Sequence, residues 1–347
     1  MPLTAEQAEE DPEAFLQAHP PPVIIDEIQY APSLFRYLKI EIDENRDKKG
    51  QYILTGSQKF TLMKGVSESL AGRAAIIELE GLSCLELQSA EILEDSFEEY
   101  EKLMIRGGFP ELWIDLDRPT GLFFDSYIAT YLERDVRQIL AVGSLRDFER
   151  FLRAASLKTS QQLNKSVLAR EVGVSVTTIG DWLSVLEALG HVVLLEPWFG
   201  NLKKRLVKSP KIYFADTSLV CALSGIDHSN LRKSPMLGAL WETFVFAEMR
   251  KQLAFKGERK NLWYYRDQSQ NEVDFIWEKG SELHLFERKW TNSPQANMAK
   301  NLDRVEKIFQ DASGSGYSIN EKVLITRAQE RFKNQTLAYR SPFGDLI

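Results

Sequence analysis

Two groups of charged residues have the types and spacing that phosphate chemistry uses. The first is Asp26-Glu27, which ends the apolar run Val23-Ile24-Ile25. A short β-branched run without polar interruption suits a strand buried on both faces of a parallel sheet. Adjacent acids at the carboxyl end of such a strand can divide two tasks: the first holds the Mg²⁺ shell and the second polarises an attacking water. The same residues also describe an ordinary core strand running into an acidic turn. The second group is Glu242, Asp274, Glu287 and Lys289. Carboxylates placed on a helix and a hairpin can hold Mg²⁺ against a scissile phosphate, while the lysine orients water and offsets developing charge. A structural ion pair between Lys289 and one of the acids fits the same residues.

Regular elements must position both groups. Thr4 followed by Gln7 resembles a capping box and opens a helix through Ala18, which Pro20-Pro21-Pro22 breaks. After the first strand, Pro32-Ser33 start a helix with Leu34, Phe35, Leu38 and Ile42 on one face. A second strand runs from Gln51 and stops at Thr55-Gly56-Ser57. Strand, helix, strand at this spacing predicts a right-handed crossover that sets Asp26 and Ser57 at the same edge of a parallel sheet. A helix carrying Leu62, Met63, Val66 and Leu70 follows, and Arg73 lies at its junction with a third strand, Ala74 to Leu79. An amphipathic helix from Gly121 to Leu140 is expected to join domains, its Glu133 to Arg137 charges forming a solvated face.

For the second group, Trp241 to Glu248 reads as helix, and the strands Glu272 to Glu278 and Glu282 to Trp290 as a hairpin around Lys279-Gly280-Ser281. Period-two counting puts Leu283, Leu285, Glu287 and Lys289 on one face, where two charges need partners. Ahead of it lies a helix around Phe151 to Leu157, then Ser166 to Val172, the turn Gly173-Val174-Ser175, and Thr177 to Leu189. Two short amphipathic helices joined by a glycine-containing turn predict a helix-turn-helix, and His191 to Leu195 with a basic loop completes a winged helix. Thr177, Thr178, Asp181 and Trp182 then fall on or near the recognition helix, where Asp181 opposes phosphate contact. Lys203, Lys204, Arg205, Lys208 and Lys211, uninterrupted by acid, suit DNA binding or a solvated hairpin tip. Winged helices also serve as modules for a protein partner.

A chain of 347 residues exceeds one typical core and suggests several domains. Its 44% hydrophobic and 27% charged content is that of an ordinary soluble protein, and a net charge of −7 excludes wholesale coating of nucleic acid. Cys84 and Cys221 lack the spacing of a disulfide framework or zinc site, which fits a reducing cytoplasmic location. No apolar run approaches ~18 residues and the N-terminus is acidic, so neither membrane spanning nor export is expected.

The runs IIDEIQYAP (24–32), LTGSQKF (54–60), SESLAGR (67–73) and RGGFPE (106–111) resemble a family of bacterial and archaeal AAA-type ATPases with an uncharacterised C-terminal region. The resemblance covers the chain from Asp11 onward. It implies that Asp26 and Glu27 are Walker B acids, that Ser57 occupies the sensor position, and that Arg73 is a basic residue near the nucleotide. The run KSPKIYFADTSL (208–219) resembles the same family, which usually has glycine where Ser218 stands. Family members also carry a GxxxxGK loop ending in Ser or Thr, whose backbone and lysine grip phosphates. These residues contain none; Lys49-Gly50 and Lys64-Gly65 have the wrong order. A truncated reading frame or a degenerate member is therefore expected, with autonomous ATP hydrolysis in doubt. Glu242, Asp274, Glu287 and Lys289 resemble the core of the PD-(D/E)xK nuclease-like fold.

The expected architecture is an α/β multidomain chain: an incomplete P-loop NTPase parallel sheet (1–115), a linking helix (116–146), a winged helix-turn-helix (147–206) and a restriction-endonuclease-like α/β domain (207–347). The expected function is that of an ATPase-family protein acting on or near DNA. The alternatives are a Mg²⁺-dependent nuclease and a non-enzymatic DNA- or protein-binding scaffold. Oligomeric state is left open.

Overall fold

The computed structural model describes residues 2–56, 65–94, 96, 98–132, 145–198, 209–258, 261–311, 316–328 and 337–347. They are mixed α/β and divide into two compact units, Met1–Glu78 and Leu79–Ile347. Residues 79–115, which the sequence groups with the first segment, pack in the second unit.

In the first unit, α1 (Pro2–Glu10) and α2 (Pro12–Ala18) replace the single helix expected up to Ala18. Pro12 brings no N–H to a continuing helix, and the Asp11 carboxylate accepts from Ala14 N at 3.0 Å, capping a new one. Next come β1 (Val23–Ile25), a 3₁₀ turn (Ile28–Tyr30), α3 (Leu34–Glu44) and β2 (Tyr52–Leu54). The two strands are parallel, in register from Val23↔Tyr52 to Ile25↔Leu54, with α3 as the crossover. Ile25, Ile28, Leu34, Phe35 and Leu38 form the core with Leu16. Ile24 and Ile53 are 65% and 56% exposed, so the pair buries one face and not the two expected. Their other face has no covering layer among the described residues. The expected third strand, Ala74 to Leu79, is not a strand: no described backbone pairs with it, and Ile77 is exposed.

The second unit begins with α4 (Cys84–Ser89), α5 (Glu99–Arg106), α6 (Pro110–Ile114) and α7 (Thr120–Tyr127), which passes into a π turn, Ile128–Leu132. The remainder of the long helix expected to Leu140 lies outside the described residues. Then come α8 (Leu145–Ser156), β3 (Gln161–Gln162), α9 (Lys165–Val172), α10 (Val176–Ala188), β4 (Val192–Leu195) and β5 (Lys211–Phe214). The three strands make an antiparallel sheet in the order β3-β5-β4. Gly173 at φ 86° closes α9, and the Ser175 hydroxyl accepts from Thr178 N at 3.0 Å to open α10. Phe148, Phe151 and Trp182 pack where α8 meets α10.

After α11 (Thr217–Ser224), the buried helix α12 (Leu237–Phe255) lies under a five-stranded sheet. That sheet contains β6 (Leu262–Arg266), β7 (Glu272–Lys279), β8 (Glu282–Arg288), β9 (Ser318–Ile325) and β10 (Ala338–Arg340), with α13 (Lys300–Asp311) between β8 and β9. The hairpin β7–β8 is antiparallel and turns at Gly280, while β8–β9 and β9–β10 are parallel. Phe275 and Phe286 join the core that includes α12, whereas Ile276 and Leu285 join a separate core with Leu302 and Val305 of α13. Cys84 and Cys221 are buried free thiols, and burial pushes both pKa values up. No helix among the described residues is long and apolar enough to cross a membrane.

Candidate functional site

The carboxyl end of β1 is built by its register with β2. Continuing the pairs beyond Ile25↔Leu54 places Asp26 beside Thr55. The Thr55 hydroxyl donates to Asp26 Oδ1 and accepts from Glu27 N at 3.3 Å, so one side chain ties both acids. Glu27 is in the left-handed region (φ 54°, ψ 43°), which costs a non-glycine residue roughly 1–2 kcal/mol. The backbone then tightens into the 3₁₀ turn, with Tyr30 N donating to Glu27 O at 3.0 Å. This bend returns Gln29 onto Glu27: its Nε2 donates to Glu27 Oε2. Gln29 is only 7% exposed, and its Oε1 has no hydrogen-bond partner among the described residues.

Asp26 is exposed and Glu27 half-buried, so this edge presents an all-oxygen donor set: two carboxylates, a hydroxyl and an orphaned amide carbonyl. Hard divalent cations take such donors, and Mg²⁺ uses one or two carboxylates while keeping waters. The residues fit the ion that the resemblance implies. Thr55 and Gln29 were missed in the sequence, although the parallel register alone would have found Thr55.

The two residues expected to sense the nucleotide fare differently. Ser57 lies outside the described residues. Arg73 is removed from the Asp26 edge: its Nε and Nη2 bind both oxygens of Asp43, at 2.7 and 2.9 Å. Asp43 is near the far end of α3, an 11-residue crossover that rises about 16 Å away from the carboxyl edge of the strands. The Arg73 guanidinium holds the Asp43 carboxyl below its ordinary range, and Asp43 holds Arg73 up. Arg73 thus clamps the helix end.

The second group assembles as a buried ion network. Glu242 on α12 accepts from Lys211 Nζ at 2.9 Å, Tyr213 OH at 2.6 Å, and Arg288 Nε at 3.1 Å. Lys211 also pairs with Glu272 at 2.6 Å. Arg288 N donates to Asp274 Oδ2 at 3.0 Å, with its guanidinium Nε 3.6 Å from the same carboxylate. Lys289 Nζ instead bonds Glu287 Oε1 at 2.6 Å. Strand alternation explains the split: Arg288 continues the Phe286 side, toward α12, and Glu287 the Leu285 side. Lys211 and Arg288 draw Glu242 below its ordinary range against the effect of burial. Burial raises Asp274, and burial with the nearby Asp274 charge pushes Glu287 up to about 8, partly offset by Lys289.

Among the described residues, no group of three or more His, Cys, Asp or Glu side chains is placed to hold a metal ion. Continuing the register beyond Phe275↔Phe286 sets Asp274, where a metal was expected, opposite Glu287, with Arg288 bonded to the first acid and Lys289 to the second. Lys211, Tyr213, Glu272 and Arg288 were missed as members, though the i, i+2 spacing of Lys211 and Tyr213 on β5 points both to one side.

Of the residues expected on the recognition helix, Thr177 is exposed and Thr178 is half-buried, its hydroxyl 2.8 Å from Ser175 Oγ. The residues Val176–Ala188 include Asp181 and Glu187 but no lysine or arginine. Lys203, Lys204, Arg205 and Lys208 lie outside the described residues. Lys211, expected to extend their patch, is 3% exposed and committed to the ion network.

The RGGFPE run is a structural latch. Gly108 N donates to Asp216 Oδ2 at 2.7 Å, and Trp113 Nε1 to Gly107 O at 2.8 Å. Gly107 has φ 66°, and a Cβ there would fall 2.0 Å from Asp216 Oδ1. Ser218, where a positive φ was considered, is in the first turn of α11 and donates its hydroxyl to Asp216 Oδ1 at 2.5 Å.

Comparison with known proteins follows this division. An AAA domain family matches residues 2–88. A domain of unknown function, DUF8612, matches 97–230, and another, DUF4143, matches 237–340. The uncharacterized proteins Mb2031c of Mycobacterium bovis and Rv2008c of Mycobacterium tuberculosis are each 33% identical over 274 residues, 78% of this chain. The chain spans 59% of the length of these relatives. The AAA and DUF4143 matches together support an AAA-type family, and the AAA match an ATPase-like protein.

Proposed function

We propose that this is an ATPase-family protein in which Asp26 and Glu27 form the metal and water end of a nucleotide site. The observation that carries this reading is the Asp26–Thr55–Glu27–Gln29 constellation at the carboxyl edge of a parallel strand pair. Bound Mg²⁺ would supply charge neutralisation for phosphate oxygens. Asp26 would hold it, and Glu27 would orient and polarise water. The 347 residues contain no GxxxxGK loop, so on this reading the chain alone does not grip the triphosphate. Labelled ATP titrated with Mg²⁺ onto the purified chain tests this. No saturable binding at micromolar concentration is expected; tight binding would show that the chain alone does grip the triphosphate, and turnover unchanged by Glu27→Gln would overturn the role of Glu27.

A second reading, contact with DNA, is favoured by the order of elements between α8 and β5, which is that of a winged helix. Since α10 carries no basic residue, affinity would have to come from the Lys203, Lys204, Arg205 and Lys208 loop. Salt-dependent DNA binding lost on neutralising that loop is the expected outcome of this reading. Indifference to those charges would direct the unit to a protein partner. A Mg²⁺-dependent nuclease at Asp274 and Glu287 stays an alternative, although Lys211 and Arg288 are both paired with Glu242.

A further inference from the structure

We propose that Gln29 is a positioning residue which orders the water shell of a divalent cation held at Asp26. The inference rests on the metal-site reading above and deepens it. Gln29 is not a surface side chain drawn in by chance. It is 7% exposed, sits one residue after the buried Ile28, and its amide meets the Glu27 carboxylate. One end of that amide is used: Nε2 donates to Glu27 Oε2. The other end, Oε1, lacks a donor among the described residues, and an unsatisfied buried acceptor costs about 1–3 kcal/mol.

A direct metal bond is not the best use of that carbonyl. Mg²⁺ dehydrates reluctantly and keeps several waters when few carboxylates bind it. Metal-bound water is a strong hydrogen-bond donor, and neighbours that order such waters tune affinity. The Gln29 amide can thus do two things at once. Its N–H holds the Glu27 carboxylate in place, while its carbonyl accepts from a water on the ion. The left-handed backbone at Glu27 brings Gln29 back to the edge, and Thr55 fixes Asp26 on the other side. No other described side chain with an orphaned buried oxygen adjoins these acids.

The test is a titration of the full chain with Mn²⁺ alone, followed by electron paramagnetic resonance, with hexaamminecobalt(III) as a competitor that binds only through its ammine hydrogens. Wild type, Asp26→Asn, Gln29→Ala and Gln29→Glu are compared, with thermal melting as a control on folding. The expected result is saturable Mn²⁺ binding that Asp26→Asn abolishes, Gln29→Ala weakens about tenfold, and hexaamminecobalt(III) displaces. Gln29→Glu should restore part of the affinity. Binding lost in Asp26→Asn but unchanged in Gln29→Ala, or unaffected by the competitor, would overturn the role of Gln29 and leave the metal-site reading standing. Absence of saturable binding in folded wild type would overturn both.

Discussion

The two acid groups in this chain use the same residue types and reach opposite ends. Asp26 and Glu27 sit at an open strand edge, where the neutral side chains of Thr55 and Gln29 bond them. Glu242, Asp274 and Glu287 are buried and supplied with cations by the chain itself, through Lys211, Arg288 and Lys289. The Asp26 carboxylate, held by a hydroxyl, keeps its charge for a ligand. One held by ammonium and guanidinium groups has spent it on the fold. The identity of the counter-charge separates the two groups, whereas the pattern of acids does not.

The largest effect should come from breaking the buried network. Glu242→Ala, which leaves Lys211 and Arg288 without their shared partner, should lose about 3–5 kcal/mol in urea unfolding followed by tryptophan fluorescence. Substituting Lys211→Met and Glu242→Leu together should recover part of that loss, because the buried ammonium goes with its partner while Arg288 keeps Asp274. Retention of full stability by Glu242→Ala would mean that the acid is not part of the scaffold. Asp216→Ala, which removes the carboxylate latching Gly108, should lose about 1.5–3 kcal/mol by the same measurement.

Smaller, and specific in its pH window, is the effect of Glu287. Its folded pKa of about 8 lies above the ordinary 4.5, so between those values the folded state holds more proton than the unfolded one. Its contribution is therefore fully present below pH 4.5 and is lost as pH rises toward 8. Glu287→Gln should flatten that part of the stability profile, and an unchanged slope would remove Glu287 as its source. At the exposed edge, Asp26→Asn should change stability by less than about 0.5 kcal/mol, since no cation among the described residues pairs with it.

The sequence was most readable where one local rule acted alone. The β1–α3–β2 crossover follows from apolar runs and spacing, and the turn before α10 from Gly173 and Ser175. The same is true of the β7–β8 hairpin around Gly280. It was least readable where a residue's role depends on a distant partner. Lys211 looked like part of a basic loop, because nothing nearby reveals Glu242 and Glu272, 31 and 61 positions away. Arg73 looked like a nucleotide contact, because its pairing with Asp43 depends on where α3 ends. Period-two counting placed Glu287 and Lys289 together correctly, and their 2.6 Å ion pair is what two charges on that side required. It could not show that Glu242 meets Arg288 instead. Gln29 carries no motif of its own; the left-handed turn at Glu27 gives it a place.

The contrast between the open and the neutralised acids is tested most directly by Mn²⁺-dependent water-proton relaxation of the full chain, comparing wild type with Asp26→Asn and Glu287→Gln. The account predicts a saturable enhancement that disappears in Asp26→Asn and persists in Glu287→Gln. Enhancement that survives Asp26→Asn and disappears in Glu287→Gln would contradict it.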